Sequence, residues 1–407
     1  MIKTVWANLL HIYQPPGWDV KIIKKVARES YLPVFRILKK HPQIKITLNI
    51  NGSLTEQLFE HKLGEIINLI KLLAERKQIE FTGSAMYHTI LPKLPVSEIQ
   101  RQIQLNTKVN TKYFGKSYQL SGFFPPEMCY SEKVAQALVK EKFSWIALDE
   151  IAYQKKKGVV DWKNGYRIKG TPLKVAFRNH NMSDLFTVKP QMETKKVFKK
   201  TCCTGDPLFT AFDGETLGHH RPGMEKVFEE LTLDKKIQTE TYSEALKQYS
   251  SFKSITPLAS SWASSEKELK NGIPFELWDH PNNPIHKLQW QLFELVLATV
   301  KESTKDKNFD AARTLLDRSM SSDFFWWASA HPWWSVEIIE EGANRLLDLI
   351  NALKNPPISK LKKARLLSEQ IKKLAHEWQY TGRAKKEKKM FLAGYNYKPY
   401  MAGKKET

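Results

Sequence analysis

The chain has 407 residues, 42% of them hydrophobic, enough for a core larger than the roughly 250 residues of a typical α/β barrel require. Its formal charge is +21, but the basic residues spread along lysine-rich helical stretches with no nucleic-acid-binding motif, so a solvated basic surface is expected and a nucleic-acid partner is not. No stretch nears the roughly 20 apolar residues of a membrane span, which argues against a membrane protein.

Taken in chain order, short apolar segments end in polar residues and lead into helical sequence. Residues 3–10 read as a strand running into His11. Residues 44–50 form a second, followed by Asn51 and a helix from about Thr55. Residues 78–82 open into Gly83, Tyr87 and His88. Residues 120–124 lead to Pro125, Pro126 and Glu127, then to a helix capped by Ser131. Residues 143–148 deliver Asp149 and Glu150. Residues 208–212 deliver Asp213, Gly214 and Glu215, with helical sequence near Gly223. Residues 255–259 deliver Ser260, Ser261 and Trp262.

This alternation predicts a parallel sheet. In a parallel barrel the C-terminal strand ends open on one face, so polar residues far apart in sequence converge there. Turn and cap chemistry accounts for Asn51 and Ser131, but poorly for His11, His88, Glu127 and Asp213.

From residue 284 onward the strand signals stop. Residues 285–300, 309–329, 335–353 and 358–380 carry apolar residues at helical spacing. The expected organisation is an α/β barrel over residues 1–283, a helical domain over 284–381 and a basic, partly mobile tail over 382–407.

Five segments carry the chemistry. Residues 11–15 read HIYQP; residues 83–88 read GSAMYH, with ILP at 90–92. Residues 122–127 read GFFPPE, 212–219 read FDGETLGH, and 321–327 read SSDFFWW. In order and spacing they resemble the five signature regions of glycoside hydrolase family 57. The resemblance implies an incomplete, seven-stranded parallel α/β barrel followed by helices. It also implies a retaining mechanism on α-1,4-glucans such as maltodextrin, starch or glycogen, with no cofactor. The family's nucleophile falls on Glu127 and its acid/base on Asp213, while its first-region His and Gln fall on His11 and Gln14. A second family His, two positions after the first, is replaced here by Tyr13. Hydrolysis, 4-α-glucan transfer, branching and α-galactosidase activity all occur in the family.

The residues support such chemistry independently. Retention needs one ionised carboxyl to attack the anomeric carbon and one protonated carboxyl to release the leaving oxygen. Two prolines before Glu127 restrict its backbone, and His11 or His88 could favour its ionisation. Asp213 follows Phe209, Ala211 and Phe212. That apolar setting, with the charge of Glu127 nearby, should raise its pKa. His88, Glu215, His219 and Trp262 are candidates for contacts with sugar. In the helical region the aromatic residues beside Asp323 read equally well as core. The resemblance favours Asp323 as an acceptor of hydrogen bonds from sugar hydroxyls and leaves open whether a tryptophan such as Trp326 stacks on a ring.

Three alternatives compete with this reading. His11, His88, His219 and His220 could form the metal site of a deacetylase-like barrel. Adjacent histidines chelate poorly, however, and the cysteines stand outside any ligand pattern. A non-catalytic glucan-binding homologue would not need both Glu127 and Asp213, and a basic nucleic-acid binder has only net charge in its favour. Cys129, Cys202 and Cys203 cannot all pair within the chain, and the adjacent 202–203 pair is a poor disulfide candidate. With no signal-peptide pattern at the N-terminus, a reducing, cytoplasmic location is expected.

Overall fold

A computed structural model describes residues 3–201 and 206–394. Cys202, Cys203 and residues 395–407 of the tail lie outside the described residues. The chain divides into two compact units after Glu266. Among the described residues, no helix is long and apolar enough to cross a membrane.

The first unit is built on a curled, parallel-rich sheet, a half-barrel flanked by helices. Its strands are β1 (Thr4–Ile12), β2 (Ile46–Ile50), β3 (Ile79–Gly83), β4 (Leu120–Phe123), β5 (Trp145–Asp149), β6 (Gly165–Ile168), β7 (Lys174–Arg178), β8 (Leu208–Asp213), β9 (Ile237–Glu240) and β10 (Phe252–Ile255). They run in the order β10-β6-β7-β5-β4-β3-β2-β1-β8, with β9 added to β1. Every pairing is parallel except β6 with β7.

The sheet therefore has ten strands, not seven. The three unforeseen ones are short. β6 and β7 form an antiparallel pair around a turn containing Gly170 and Pro172, and β9 (IQTE) holds a single apolar residue. A four-residue strand with so little apolar content leaves no periodic signal. β10 also ends where a strand was expected to start. Pro257, just beyond it, has no N–H for a ladder.

Side-chain parity explains how the sheet builds its functional face. Along β1, Trp6, Leu10 and Ile12 pack into one apolar cluster with the surrounding helices, while Val5, Ala7 and Leu9 join a second cluster. Successive strand residues point to opposite faces, so His11 shares the face of Val5, Ala7 and Leu9. The same count holds elsewhere. Trp145 and Ala147 set the face of Asp149, Ala176 that of Arg178, and Phe209 with Ala211 that of Asp213. Register then aligns the strand ends: His11 lies opposite both Asn49 and Asp213, and Asp149 opposite Arg178.

The helical unit follows the expected pattern closely. Its helices are Pro284–Glu302, Phe309–Arg318, Asp323–Trp326, Val336–Asn351, Ile358–Tyr380 and Arg383–Gly394. Asn283 caps the first by accepting from the Ile285 and His286 N–H groups at 2.9 and 3.3 Å, with Pro284 at the first helical position. The stretch expected as one helix over 309–329 breaks after Arg318, where the Ser319 hydroxyl donates to Leu315 O at 2.8 Å and Ser321 Oγ accepts from Asp323 N–H at 3.3 Å. The first part of the basic tail is helical, over Arg383–Gly394. Its run of Lys, Ala and Glu suits a helix, and the Arg383 guanidinium sits 4.1 Å over the Trp378 ring.

One strand position tests this packing. A Cβ at Gly122 in β4 would stand 1.9 Å from the fully packed Trp145 indole of β5. Gly122→Ala should therefore destabilise the first unit by about 1–3 kcal/mol, read as a lower denaturant midpoint. An unchanged midpoint would mean that Trp145 is free to move aside.

Candidate active site

The turn after β4 places Glu127. Pro125 and Pro126 lock the approach, and Glu127 itself takes a left-handed conformation (φ 58°), followed by Met128 (φ 49°). Two adjacent non-glycine residues in this region persist only where their surroundings over-determine them. The surroundings here do so. Met128 and Cys129 N–H donate back to Pro125 and Pro126 carbonyls at 2.8 and 3.0 Å. Tyr130 N–H donates to Ser260 O at 2.9 Å, and Trp262 N–H to Glu127 O at 3.2 Å.

The loop after β10 thereby also delivers the Trp262 side chain. Its indole Nε1–H donates to Glu127 Oε2 at 2.7 Å, which fixes the carboxyl orientation. His88 Nε2 stands 3.9 Å from the other oxygen, Oε1.

His11 and His88 form a buried polar chain beside it. Asn49 spends its amide N–H on Thr82 Oγ1 (2.9 Å), so Asn49 Oδ1 faces His11 Nδ1 at 2.6 Å as an acceptor. His11 Nδ1 therefore carries the proton, and His11 Nε2 accepts from His88 Nε2 at 3.0 Å. Burial lowers His11 to about 4, against the raising effect of Asn49. Burial and the neighbouring His11 hold His88 well below the usual imidazole range. Both rings are therefore neutral near pH 7. Tyr13, His88, His11 and Phe124 stack in series, with neighbouring rings 4.0, 5.0 and 4.8 Å apart.

Asp213 ends β8 on the same inner face. Burial pushes its carboxyl up to about 6, opposed by the Arg178 guanidinium. Burial supplies the rise that had been assigned partly to the charge of Glu127. Two residues on, Glu215 is buried and its Oε1 accepts from Gln14 Nε2 (3.1 Å), from Tyr13 N–H (3.2 Å) and from the Tyr31 hydroxyl. Burial and then the charge of Asp213 raise Glu215 to about 7, against the lowering pull of these donors.

His11, Gln14, His88, Glu127, Asp213, Glu215 and Trp262 thus meet at one end of the half-barrel. His219 is engaged by Glu29, with Nδ1 to Oε2 at 2.6 Å. Asp323 and Trp326 belong to the helical unit, where Asp323 accepts from the Ser321 hydroxyl and Trp326 packs edge-on to Trp333 at 5.7 Å. Among the described residues, no three His, Cys, Asp or Glu side chains are grouped so as to hold a metal ion.

Sequence reasoning missed Arg178, His180 and Asp184. Arg178 donates to Asp149 Oδ2 and Asp184 Oδ1, both at 2.6 Å, and His180 Nδ1 lies 2.9 Å from Asp149 Oδ2. Asp149 was noted at its strand end. The charged end of the unforeseen β7 was the signal for its partner.

Fold and site together define a half-barrel protein with several carboxyl groups gathered beyond its strand ends. The chain belongs to Glycosyl hydrolase family 57, whose sequence model matches residues 4–257. It is 24% identical to an alpha-amylase of Pyrococcus horikoshii over 254 residues, 59% of this chain and 40% of that protein. It is 22% identical to a 4-alpha-glucanotransferase of Thermococcus litoralis over 276 residues, 64% of this chain and 41% of that one. The chain thus spans about two fifths of the length of these relatives. The crystal structure of the Thermococcus litoralis 4-alpha-glucanotransferase matches with a TM-score of 0.70 at 17% identity, covering 87% of this chain and 60% of that one. A GH57 branching enzyme from Thermococcus kodakaraensis matches equally (0.70) at 14% identity, over 90% and 94% of the two chains. Both share the fold.

The raised carboxyl of Asp213 makes stability depend on pH. A carboxyl whose folded pKa lies above its unfolded value of 3.8 contributes stability that is complete below 3.8 and lost as pH rises through about 6. Ionised at neutral pH, Asp213 costs on the order of 3 kcal/mol. Asp213→Asn should therefore raise the melting midpoint above about pH 7, with the gain fading to nothing near pH 4. A gain independent of pH would show that Asp213 titrates normally.

Proposed function

We propose that the protein is a retaining enzyme on α-1,4-glucans, a glycoside hydrolase of the α-amylase type or a 4-α-glucanotransferase. The observation that carries this reading is the unlike setting of two carboxyls at one end of the half-barrel. Glu127 receives a short, oriented indole N–H donor, a bond that strengthens when the accepting oxygen is anionic. Asp213 is held toward its protonated form by burial.

In the first step Glu127 attacks the anomeric carbon and the glycosidic C–O bond breaks as Asp213 gives its proton to the leaving oxygen. In the second, Asp213, now a carboxylate, removes a proton from water or from a sugar hydroxyl, whose oxygen displaces Glu127. Water gives hydrolysis and a sugar gives transfer. His11, Gln14, His88, Glu215, His219 and Trp262 supply neutral and charged partners for sugar hydroxyls. For Asp323 and Trp326 a sugar-binding role rests on the resemblance of residues 321–327 to the family's fifth region. The mechanism needs no cofactor, since both carboxyls come from the chain.

Two measurements test this. Incubation with maltoheptaose should yield shorter malto-oligosaccharides, with longer ones as well if transfer dominates. Glu127→Gln should remove turnover by at least about 1,000-fold while glucan binding survives, because the amide keeps the shape but cannot form the glycosyl ester. Near-normal activity in that variant would place the nucleophile elsewhere.

A further inference from the structure

Arg178 is buried and makes no contact that folding of β7 alone requires. Its Nε–H donates to the Ala211 carbonyl at 2.7 Å, on β8 two residues before Asp213. Its guanidinium carbon lies 5.7 Å from the Trp262 ring centroid, over the indole whose N–H holds Glu127. The remaining donors are committed to Asp149 on β5 and to Asp184 on the helix His180–Val188. A planar, five-donor group satisfied on two carboxylates and a carbonyl is held in one orientation. Its second partners are held as well. His180 bridges Asp149 and Asp184 at 2.9 and 3.1 Å and meets Lys157 Nζ at 2.6 Å, and its own N–H donates to Glu150.

We infer that Arg178 is a positioning residue for both carboxyl groups, holding Glu127 through the face of Trp262 and Asp213 through the strand end at Ala211. The inference rests on the two-carboxyl reading above. His11 also borders both arms, opposite Asp213 in the ladder and edge-on to Trp262 at 6.1 Å, but as a neutral ring, whereas Arg178 brings a cation to the same two arms. The guanidinium is buried, so its position is set by a network that cannot relax without leaving a charge unpaired.

The arrangement also has an electrostatic consequence that separates it from a merely structural ion pair. Asp213 faces the Arg178 cation from β7, Glu215 from its own segment and Tyr31 from the helical turn at residues 27–31. Arg178 in turn faces Asp149, Asp184, His180 and Tyr242. Removing the cation leaves Asp213 with net negative surroundings, so its protonated form persists to higher pH. Removing the charge of Asp184 leaves the cation less compensated and works in the opposite direction.

The test uses the full-length chain in three variants. Arg178→Gln should lower kcat by about 100-fold, as expected for carboxyls displaced by a fraction of an ångström to an ångström. It should also move the basic limb of the kcat/KM–pH profile upward by roughly one pH unit. Arg178→Lys should keep the limb near its original position without restoring kcat, because a point charge replaces the fork. Asp184→Asn, at a side chain about one-third exposed, should fold normally and move the limb downward. The pH at which the stabilisation by Asp213→Asn levels off is set by the folded pKa of Asp213, so, measured in each background, it follows the same shifts without relying on turnover, while its onset near pH 4 stays fixed by the unfolded chain. Unmoved limbs and an unmoved levelling-off pH in Arg178→Gln and Asp184→Asn overturn the inference and leave Arg178 a structural ion pair. Should Arg178→Gln not fold, Asp184→Asn alone decides. Full activity of Glu127→Gln or Asp213→Asn would instead refute the two-carboxyl reading, while the pH at which the Asp213→Asn stabilisation levels off still reports whether Arg178 governs Asp213.

Discussion

A single hydrogen bond, from the Trp262 indole N–H to Glu127 Oε2 at 2.7 Å, joins the loop after the central strand β4 to the loop after the edge strand β10. Glu127 stands in a left-handed turn that no side chain chooses freely, and the loop carrying Trp262 repeats the tie through its backbone. Without that second loop the turn after β4 would have no reason to keep its conformation. Much of the rest serves this arrangement. The prolines narrow the approach, the neutral histidine chain packs beside the carboxyl, and Arg178 lies against the indole from behind.

The electrostatics of the site follow from burial more than from pairing. Asp213, Glu215, His11 and His88 all shift toward their uncharged forms because the inner face of the half-barrel excludes water. The Arg178 cation opposes this at Asp213, and its charge is itself answered by Asp149 and Asp184. Neutral hydrogen-bonding rings beside one oriented carboxyl are in keeping with the polyhydroxylated substrate proposed above.

Much of this was legible in the sequence, and the reason is parity. In β1 and β8 the alternation of inward and outward residues ends on a polar side chain, so His11 and Asp213 announced themselves at apolar segments that stop too abruptly. Glu127 was legible from its two prolines. Arg178 was not, because β7 is five residues long and follows a strand with little apolar content. A guanidinium at the end of an unseen strand reads as surface charge. The tautomer of His11 was equally hidden, since it depends on Asn49 and Thr82, two inward residues of neighbouring strands that look like ordinary β-sheet polar positions. The helical unit was the easiest to read. Most of its helices are long and periodic, and the stretch read as one helix over 309–329 breaks after Arg318, where serines offer the backbone other partners.

The central claim is that Glu127 becomes covalently bonded to the sugar. An activated α-glucosyl fluoride carrying fluorine at C5 forms the glycosyl-enzyme readily and releases it slowly, so the intermediate accumulates. Mass spectrometry of the intact protein after such treatment should show one added glycosyl unit, and peptide mapping should place it on the segment containing Glu127. An adduct on any other carboxyl, or no adduct together with inverted product configuration by NMR, would contradict the account.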